Sequence, residues 1–539
     1  MDVIDRAIEN GLHLSDREEI CSQTWKDFDN IIYGKKIVLY GVGAGADCYF
    51  DRYKDSARLD AVIDNDVRKQ GLPAKVFLAE MFGMDRENLC VSDCSILDGV
   101  ISEEIVILIS STNYYMEIIE QLEKKGIRNY YVLLMMEANQ RTLENKKKSE
   151  CISISKEEIF ARECCTRFPV EEKKIFFRAY GDYADHGKYI ANALLTLRKD
   201  LDLVWAVSDM STPVPSGVRK IYSANWKSYI YEMETAKVWI LDLAVPAFIQ
   251  KRQGQLYIQT KHWASVTLKK FYLDAVTFQS VPDQVDNWKR DGQLIDYIIT
   301  GSKFDEESCR RGFGFEKEVL PFGSPRSDAL FFEKENKEKV YQYYKLHLDK
   351  HAILYAPTYR FDKAKGKKFH MAKQIELDFL RVKKAAEKRF GGEWVIMLRL
   401  HPSVAKAAKE MEKPDFVIDV SAYTDSEELV SATDITISDF SSIMFEPAFV
   451  KKPVFLFATD LQEYIEKEYE LLIPYKELPF SIAESNEELE RNIMHYDKES
   501  YQKEIESFLE RYGVAEDGHA SERTARFLSE YLDNEENNI

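Results

Sequence analysis

The chain has 539 residues, of which 45% are hydrophobic and 31% are charged, and its formal net charge is −18. This length exceeds what one hydrophobic core supports, so several domains are expected. The acidic excess argues against a nucleic-acid-binding protein, which needs a basic face, and it disfavours tight adhesion to anionic lipid.

Targeting and redox signals favour a cytoplasmic protein. The first residues are acidic and polar, unlike a signal peptide, and no apolar run approaches the roughly 20 residues that a membrane-spanning helix needs. The eight cysteines lack the paired spacing of a metal site. We therefore expect reduced thiols. We identify no aspartate-rich D-x-D metal motif before the predicted cleft, so we expect no obligatory divalent metal, and no cofactor is expected.

Residues 1–140 are predicted to form a small Rossmann-like α/β domain. A strand from residue 36 runs into a turn that contains Gly41, Gly43 and Gly45, and a second strand ends at Asp64, 23 positions after Gly41. Glycines at such a turn let the backbone approach a pyrophosphate, and an acid after the second strand suits a ribose hydroxyl. These four residues are candidates for nucleotide binding. The spacing lacks the full dinucleotide fingerprint and no hydride-transfer domain follows, so the ligand is left open.

A polar linker is predicted over 141–172, followed by two α/β units over 173–340 and 341–539. Apolar runs in these units predict strands at 175–177, 203–207, 238–242, 256–259, 352–356, 394–401 and 454–457. Strands that alternate with helical segments indicate parallel, doubly wound sheets. Two such units facing each other across a cleft form the GT-B arrangement, which is the fold class expected here.

A hydroxyl-rich turn in the last unit has the chemistry of a phosphate site. A short strand ends at residue 438, the turn carries Asp439, Ser441 and Ser442, and an apolar helical stretch with Glu446 follows. Open α/β sheets bind ligands beyond the carboxyl ends of their strands, and serines at a helix start offer donors that suit phosphate. A structural role is the equal alternative, because serines often cap helices.

The stretch DFSSIMFEPAFVKKPVFLF at 439–457 resembles the signature of the CDP-glycerol glycerophosphotransferases, the teichoic-acid and capsule polymerase family. In that family the D-[YF]-S-S-x-x-F-[DE] turn holds the pyrophosphate of the CDP-activated donor. The resemblance implies that Asp439, Ser441, Ser442 and Glu446 bind the donor.

A second segment, YIQTKHW at 257–263, is similar to the family pattern Y-x-Q-T-W-H-G. His262 falls on the histidine that serves as the base in that family. The chain departs from the pattern at Lys261 and Trp263, where the family has tryptophan and glycine. Because tryptophan lacks the φ freedom of glycine, a changed local backbone is expected at Trp263.

Three further segments continue the resemblance in the same order. The segment FGSPRSD at 322–328 matches G-x-P-R-x-D, and its Arg326 either meets a phosphate or pairs with Asp328, with the pairing slightly favoured. The segments APTYR at 356–360 and LRLHP at 398–402 match the family's P-T-[WY]-R and L-R-x-H-P. They add four candidates for donor binding and charge stabilisation: Thr358, Arg360, Arg399 and His401.

The resemblance implies transfer of glycerol phosphate from CDP-glycerol to a hydroxyl of a teichoic-acid or capsular polymer, with CMP as the leaving group. His262 is expected to act as the base and His401 as the second catalytic histidine. The polyol-phosphate or glycan acceptor is lipid-linked in the family, which implies peripheral contact with the inner face of the plasma membrane. A homo-oligomer is compatible with the sequence, as are priming and polymerisation.

The sequence is compatible with three alternatives. A GT-B glycosyltransferase that uses a nucleotide-sugar would carry a similar base and pyrophosphate turn. CDP-ribitol or another CDP-alditol could replace CDP-glycerol as the donor. A non-catalytic nucleotide-sensing protein, built around the N-terminal domain, is the alternative outside enzymology.

Overall fold

Three parallel β-sheets follow one another along the chain, each covered by helices. The computed structural model describes residues 18–81, 89–112, 114–145, 154–275, 282–358, 361–362, 367–368, 376–400, 413–467 and 470–536. All pairings within the three sheets are parallel. None of the helices in these ranges is long and apolar enough to cross a membrane.

The N-terminal sheet has five strands in the order β3-β2-β1-β4-β5. Its strands are β1 (Lys36–Tyr40), β2 (Ala61–Ile63), β3 (Val91–Ser92), β4 (Ile105–Ile109) and β5 (Tyr130–Val132). Its helices are Glu18–Cys21, Trp25–Ile31, Asp47–Tyr53, Tyr115–Lys124 and Leu133–Asn145. Successive residues of β1 alternate between two cores, with Leu39 in one and Val38 in the other, so both faces are buried as a parallel sheet requires.

The middle sheet has seven strands in the order β12-β11-β10-β9-β6-β7-β8. Its strands are β6 (Glu171–Arg178), β7 (Asp202–Val207), β8 (Val218–Tyr222), β9 (Ala236–Leu241), β10 (Leu256–Gln259), β11 (Tyr297–Ile299) and β12 (Val319–Leu320). Its helices are Lys156–Arg167, Asp185–Leu197, Trp226–Thr235, Pro282–Leu294 and Lys303–Phe313, with 3-10 turns at Tyr272–Ala275 and Pro325–Phe331. The stretch expected to be a linker, 141–172, therefore contains the end of one helix, the whole of the helix Lys156–Arg167 and the first residues of β6.

The third sheet has six strands in the order β17-β16-β13-β18-β19-β20. Its strands are β13 (His351–Ala356), β16 (Trp394–Leu398), β17 (Val417–Asp419), β18 (Ile435–Ser438), β19 (Val454–Phe457) and β20 (Ser481–Ala483), and a separate hairpin pairs β14 (Phe361–Asp362) with β15 (Lys367–Lys368). Its helices are Glu333–Tyr343, Phe379–Phe390, Ser426–Ala432, Phe445–Phe449, Leu461–Lys467, Asn486–Met494 and Lys498–Tyr512.

The last helix, Ala520–Glu536, returns to the middle sheet. Its Leu528 and Leu532 join Ile190 and Leu194 in the core on one face of that sheet. Asp328 accepts hydrogen bonds from the backbone N–H groups of residues 520 (3.0 Å) and 521 (2.8 Å) at the helix start. The C-terminal helix, which follows the third sheet in the chain, is thereby held against the middle sheet.

Candidate active site

The carboxyl ends of β10 and β18 bring the two best sequence candidates to one cleft. The segment after β10 carries His262, and the turn after β18 carries Ser441 and Ser442. The two segments touch: the Ser442 hydroxyl accepts from the Leu268 N–H at 3.2 Å and shares a 3.2 Å hydrogen bond with the Thr267 hydroxyl. The segment that carries the expected base therefore contacts the expected phosphate turn, through Thr267 and Leu268.

His262 combines solvent contact with a dense protein surround. The residue is exposed, and its ring meets Trp263 edge-on, with ring centroids 5.0 Å apart. Burial lowers the pKa of His262 below its ordinary value, and this effect outweighs the opposing influence of Asp185. The imidazole is therefore neutral near pH 7 and able to accept a proton.

The two departures from the family pattern form one buried unit. The Lys261 ammonium lies 3.0 Å from one carboxylate oxygen of Asp305, and the Trp263 indole N–H donates to the other at 3.2 Å. Lys261, not Trp263, adopts the left-handed conformation, with φ at 56°. Trp263 itself does not have a positive φ, so its position is compatible with a tryptophan.

Asp439 links the phosphate turn to the end of the neighbouring strand β13. It is buried, and one of its carboxylate oxygens accepts from the backbone N–H of Thr358 at 2.8 Å and of Phe440 at 2.6 Å. Thr358 is thereby drawn to the start of the turn. A buried carboxylate held in this way positions the strand ends and is poorly suited to meet a phosphate directly.

The structure is compatible with both hypotheses for Ser441 and Ser442, helix capping and phosphate binding. The Ser441 hydroxyl accepts from the Ile443 N–H at 3.4 Å, which is a capping contact. The helical stretch after the turn is short, with a 3-10 turn at Ser442–Met444 and an α-helix at Phe445–Phe449. The serine hydroxyls themselves, more than a long helix dipole, are what this turn offers to a phosphate.

Arg326 and Glu446 lie in a buried cluster between the two sheets. The Arg326 guanidinium lies 2.7 Å from Asp185 and 3.1 Å from Glu446, and it also pairs with Glu427. The predicted pairing of Arg326 with Asp328 is wrong, because Asp328 caps the last helix instead. Burial raises the pKa of both Glu427 and Glu446, as expected for carboxyls in excess over the cation they share.

Of the three remaining donor-side candidates, the structure describes only Arg399. Arg399 follows β16 and donates to the backbone oxygen of Tyr423 at 2.7 Å. Burial lowers its pKa. Arg360 and His401 lie outside the described residues, so their predicted roles stay predictions.

The N-terminal candidates are tied into their own sheet. A Cβ on Gly45 would stand 2.3 Å from the backbone oxygen of Ser110, and Gly41 has φ at 98°, so both positions need glycine for the local fold. Gly43 is exposed, with nothing near its would-be Cβ. Asp64 accepts from the N–H groups of residues 42 (3.0 Å) and 66 (2.8 Å) and from the Lys69 ammonium (3.1 Å).

Two acidic residues of the cleft were missed from sequence. Asp185 begins the helix after β6 in a left-handed conformation, with φ at 58°, and Asp242 follows β9. One Asp242 oxygen accepts from the Tyr180 N–H at 2.8 Å, and the other is buried without a hydrogen-bond partner among the described residues. Burial, together with the charge of Asp185, raises the pKa of Asp242 to about 8. Their positions at carboxyl ends of parallel strands were the signal that could have identified them.

The described ranges contain no group of three or more His, Cys, Asp or Glu side chains arranged to hold a metal ion. The arrangement that they do contain is a neutral imidazole on one wall of a cleft, a hydroxyl turn on the other and a buried ionic cluster between. Facing doubly wound parallel sheets with such a cleft define a GT-B-type transferase fold.

The comparisons identify the family within that class. Residues 160–530 match the model of the CDP-Glycerol:Poly(glycerophosphate) glycerophosphotransferase family, and the chain belongs to this family. The match begins after the N-terminal sheet.

Similar proteins point the same way. A Staphylococcus epidermidis protein named teichoic acid poly(glycerol phosphate) polymerase is 29% identical over 367 residues, which are 66% of this chain and 50% of that protein. A Bacillus spizizenii protein of the same name is 26% identical over 378 residues, 67% of this chain and 93% of that protein. The matched part of this chain thus spans about half the length of some relatives and nearly all of others.

A structure of the wall teichoic acid polymerase TagF, as a histidine-to-asparagine variant with CDPG, superposes with a TM-score of 0.61. It is 26% identical and covers 70% of this chain and 94% of its own. The GT-B-type fold expected from the sequence is confirmed.

Proposed function

We propose that this protein transfers glycerol phosphate from CDP-glycerol to a hydroxyl of a teichoic-acid or capsular polymer and releases CMP. The observation that carries the proposal is the direct contact of the His262 segment with the serine turn through Ser442. Family membership over residues 160–530 and the names of the relatives support the same donor and product.

The reaction needs a base, a grip on two phosphates and compensation for the leaving charge. The acceptor hydroxyl attacks the phosphorus that carries glycerol while His262 takes its proton. The bond from that phosphorus to the bridging oxygen breaks, and the electron pair leaves with CMP. Ser441 and Ser442 donate to the phosphates, Thr358 lines the same wall, and Arg399 supplies positive charge. Arg360 and His401 complete this assignment as sequence predictions.

The acceptor and the location extend the proposal. A lipid-linked polyol-phosphate or glycan acceptor would bring the enzyme to the inner face of the plasma membrane as a peripheral protein. Sedimentation with liposomes that carry a glycerol-phosphate-primed lipid tests this contact, with acceptor-free liposomes as the control. Recovery of the protein in the supernatant in both cases would remove the membrane part and leave the transfer reaction untouched.

The domain division also belongs to the proposal. We assign residues 1–140 to an additional Rossmann-like domain, 141–172 to a connection, 173–340 to the acceptor side and 341–539 to the donor side. The N-terminal domain is not required for the chemistry in this assignment, and its nucleotide-binding role stays a prediction.

The deciding experiment measures CMP release from CDP-glycerol with and without a primed acceptor. We expect acceptor-dependent release that falls by about 10²- to 10⁴-fold in His262→Ala, the range for loss of a general base. His347→Ala is the matched control, because His347 is exposed and precedes the amino end of β13, whereas the serine turn follows the carboxyl end of the neighbouring strand β18. Parallel reactions with CDP-ribitol and with nucleotide-sugars separate the alternatives: release of a nucleoside diphosphate with glycoside formation would overturn the proposal.

A further inference from the structure

One buried arginine connects the two walls of the cleft. Arg326 lies on the 3-10 turn Pro325–Phe331, in the segment that leads from the middle sheet to the third sheet. One terminal nitrogen, Nη1, donates to Asp185 at 2.7 Å and to the backbone oxygen of His262 at 3.0 Å. The other, Nη2, pairs with Glu427 and lies 3.1 Å from Glu446. The two terminal nitrogens of one guanidinium thus contact opposite walls: Nη1 contacts the middle-sheet wall that carries His262, and Nη2 contacts the third-sheet wall that carries the serine turn.

The donor-side partners of Arg326 belong to the phosphate turn and its neighbour. Glu446 is on the helix Phe445–Phe449, which follows directly from the serine turn. Glu427 is on the helix Ser426–Ala432, which precedes β18. A shift of the serine turn on donor binding would therefore be transmitted to Nη2 through contacts of about 3 Å.

The acceptor-side partners hold the backbone on which His262 sits. Arg326 fixes the His262 carbonyl, and the neighbouring Trp263 carbonyl contacts His186 Nε2 at 2.9 Å. Asp185 and Lys261, which flank this segment, both occupy left-handed backbone conformations. Strained backbone that the surroundings hold in place is found where geometry matters for function.

We propose that Arg326 is a positioning residue that couples the donor wall to the His262 segment, so that the imidazole is correctly placed when the donor is bound. The inference rests on the proposed role of His262 as the base. Only arginine has a planar fork that can make these two sets of contacts at once; lysine presents a single point of charge.

Simple attachment of the two domains is the competing explanation, and the chain contains a control for it. Lys188 also joins the two walls, because its ammonium lies 2.5 Å from Asp425 and 2.7 Å from Glu428. Lys188 makes no described contact with the His262 segment. Lys188→Met therefore weakens the same domain contact without disturbing His262.

The experiment compares Arg326→Lys, Arg326→Met and Lys188→Met by kinetics and by histidine NMR. Protein labelled with ¹³C at histidine Cε1 gives a signal for His262, assigned by its loss in His262→Ala. The charges that influence the His262 pKa are Asp185, which raises it, and Arg326 and Lys261, which lower it. His186 and Asp242 are the other titratable groups of this wall.

We expect Arg326→Lys to lower kcat by about 10- to 100-fold with donor KM and the His262 pKa unchanged, since charge is kept and placement is lost. Arg326→Met should also raise the His262 pKa, because a cation is removed and Asp185 loses its partner. Lys188→Met should leave the His262 pKa unchanged. Its kcat should stay within about twofold of the wild-type kcat. Arg326→Lys keeps a cation among the three carboxylates of Asp185, Glu427 and Glu446, so the test does not depend on the methionine variant folding.

Equal losses of kcat in the Arg326 variants and Lys188→Met, with an unchanged His262 pKa, would reduce Arg326 to domain attachment. Wild-type kcat in Arg326→Lys would also overturn the proposal. The NMR titration separates this outcome from failure of the proposed function: if CDP-glycerol is not turned over, the His262 signal still reports whether Arg326 controls that histidine.

Discussion

The carboxyl ends of the strands in the N-terminal sheet can be compared with those that face the cleft between the middle and third sheets. We call these two places the N-terminal edge and the cleft edge, and their polar groups differ. At the N-terminal sheet, Asp64 is engaged by two backbone N–H groups and by Lys69, and Gly45 packs against Ser110. At the cleft, Asp242 and Glu446 each keep a buried oxygen without a hydrogen-bond partner among the described residues. At the N-terminal edge the Asp64 carboxylate is hydrogen-bonded within its own sheet, whereas at the cleft edge two carboxyl oxygens could still accept hydrogen bonds.

This difference shows why topology alone does not locate a reaction site. Both edges occupy the position where doubly wound sheets bind ligands. Buried polar atoms are normally paired, and the exceptions need an explanation such as a ligand or water. Left-handed backbone at Asp185 and Lys261 and the raised pKa of Asp242 occur together with these exceptions at the cleft. Strain, unpaired atoms and perturbed pKa values, taken together, distinguish the working edge.

The largest expected contrast comes from breaking one ion pair at each edge. Lys261→Met leaves the buried Asp305 carboxylate without its cation, so we expect a loss of about 3–5 kcal/mol in unfolding free energy. Lys69→Met should cost only about 0–1 kcal/mol, because the Lys69–Asp64 pair is partly exposed and Asp64 keeps its backbone partners. Urea unfolding followed by circular dichroism measures both.

The double variant Lys261→Met with Asp305→Asn is the control for this prediction. Removing both charges should recover much of the loss, because a neutral buried pair carries no uncompensated charge. A single variant as stable as the wild type would show that the Lys261–Asp305 pair does not hold the segment together.

A pH-dependent stability is expected from Glu516, which lies behind the cleft edge. It accepts from the Ser324 N–H at 3.0 Å and from the Ser265 hydroxyl, and burial raises its pKa from 4.5 to about 7. The folded state therefore holds the proton more tightly than the unfolded state. The resulting stabilisation is full below about pH 4.5 and is lost as the pH rises through 7, by up to about 3 kcal/mol.

The measurement compares the wild type with Glu516→Gln at a series of pH values. The glutamine variant keeps an oxygen acceptor and lacks the titration, so its stability should fall less between pH 4.5 and 7. Parallel stability curves for the two proteins would contradict the assignment.

The sequence predicted the strands well and the contacts between distant segments poorly. β10 and β19 have the predicted bounds, because continuous apolar runs between polar turns leave little choice of position. The Ser442 turn and His262 were found through motifs that are local in sequence. Asp242 was not, because its role arises from what other strands place beside it.

Arg326 shows the same limit for a single side chain. Its predicted partner, two residues away, instead receives hydrogen bonds from a helix 192 residues further along the chain. The actual partners come from a helix before the motif and two helices after it. Sequence proximity is a weak guide to pairing when a segment crosses between domains.

A smaller effect is expected when one polar group is removed from the phosphate turn. Ser441→Ala should lower kcat/KM for CDP-glycerol by about 10- to 100-fold, because a hydrogen bond to a charged group contributes about 1.5–3 kcal/mol. The matched change in the N-terminal turn is Gly43→Ala, which meets open space and should leave kcat/KM unchanged. A similar loss in both variants would mean that the N-terminal edge also takes part in donor binding.

The smallest effect is expected for Asp64→Asn at the N-terminal edge. Asparagine keeps one oxygen that can accept from the N–H of residue 42, but it loses the charge opposite Lys69 and the acceptor for the N–H of residue 66, so the unfolding free energy should fall by about 1 kcal/mol. The rate of CMP release should equal that of the wild type. Titration of the same variant with a ribonucleotide then isolates the predicted N-terminal ligand: affinity that is present in the wild type and lost in Asp64→Asn, at unchanged transfer rate, would assign this edge a separate binding function. A reduced transfer rate would instead join the two edges in one activity, and the division drawn between them would not hold.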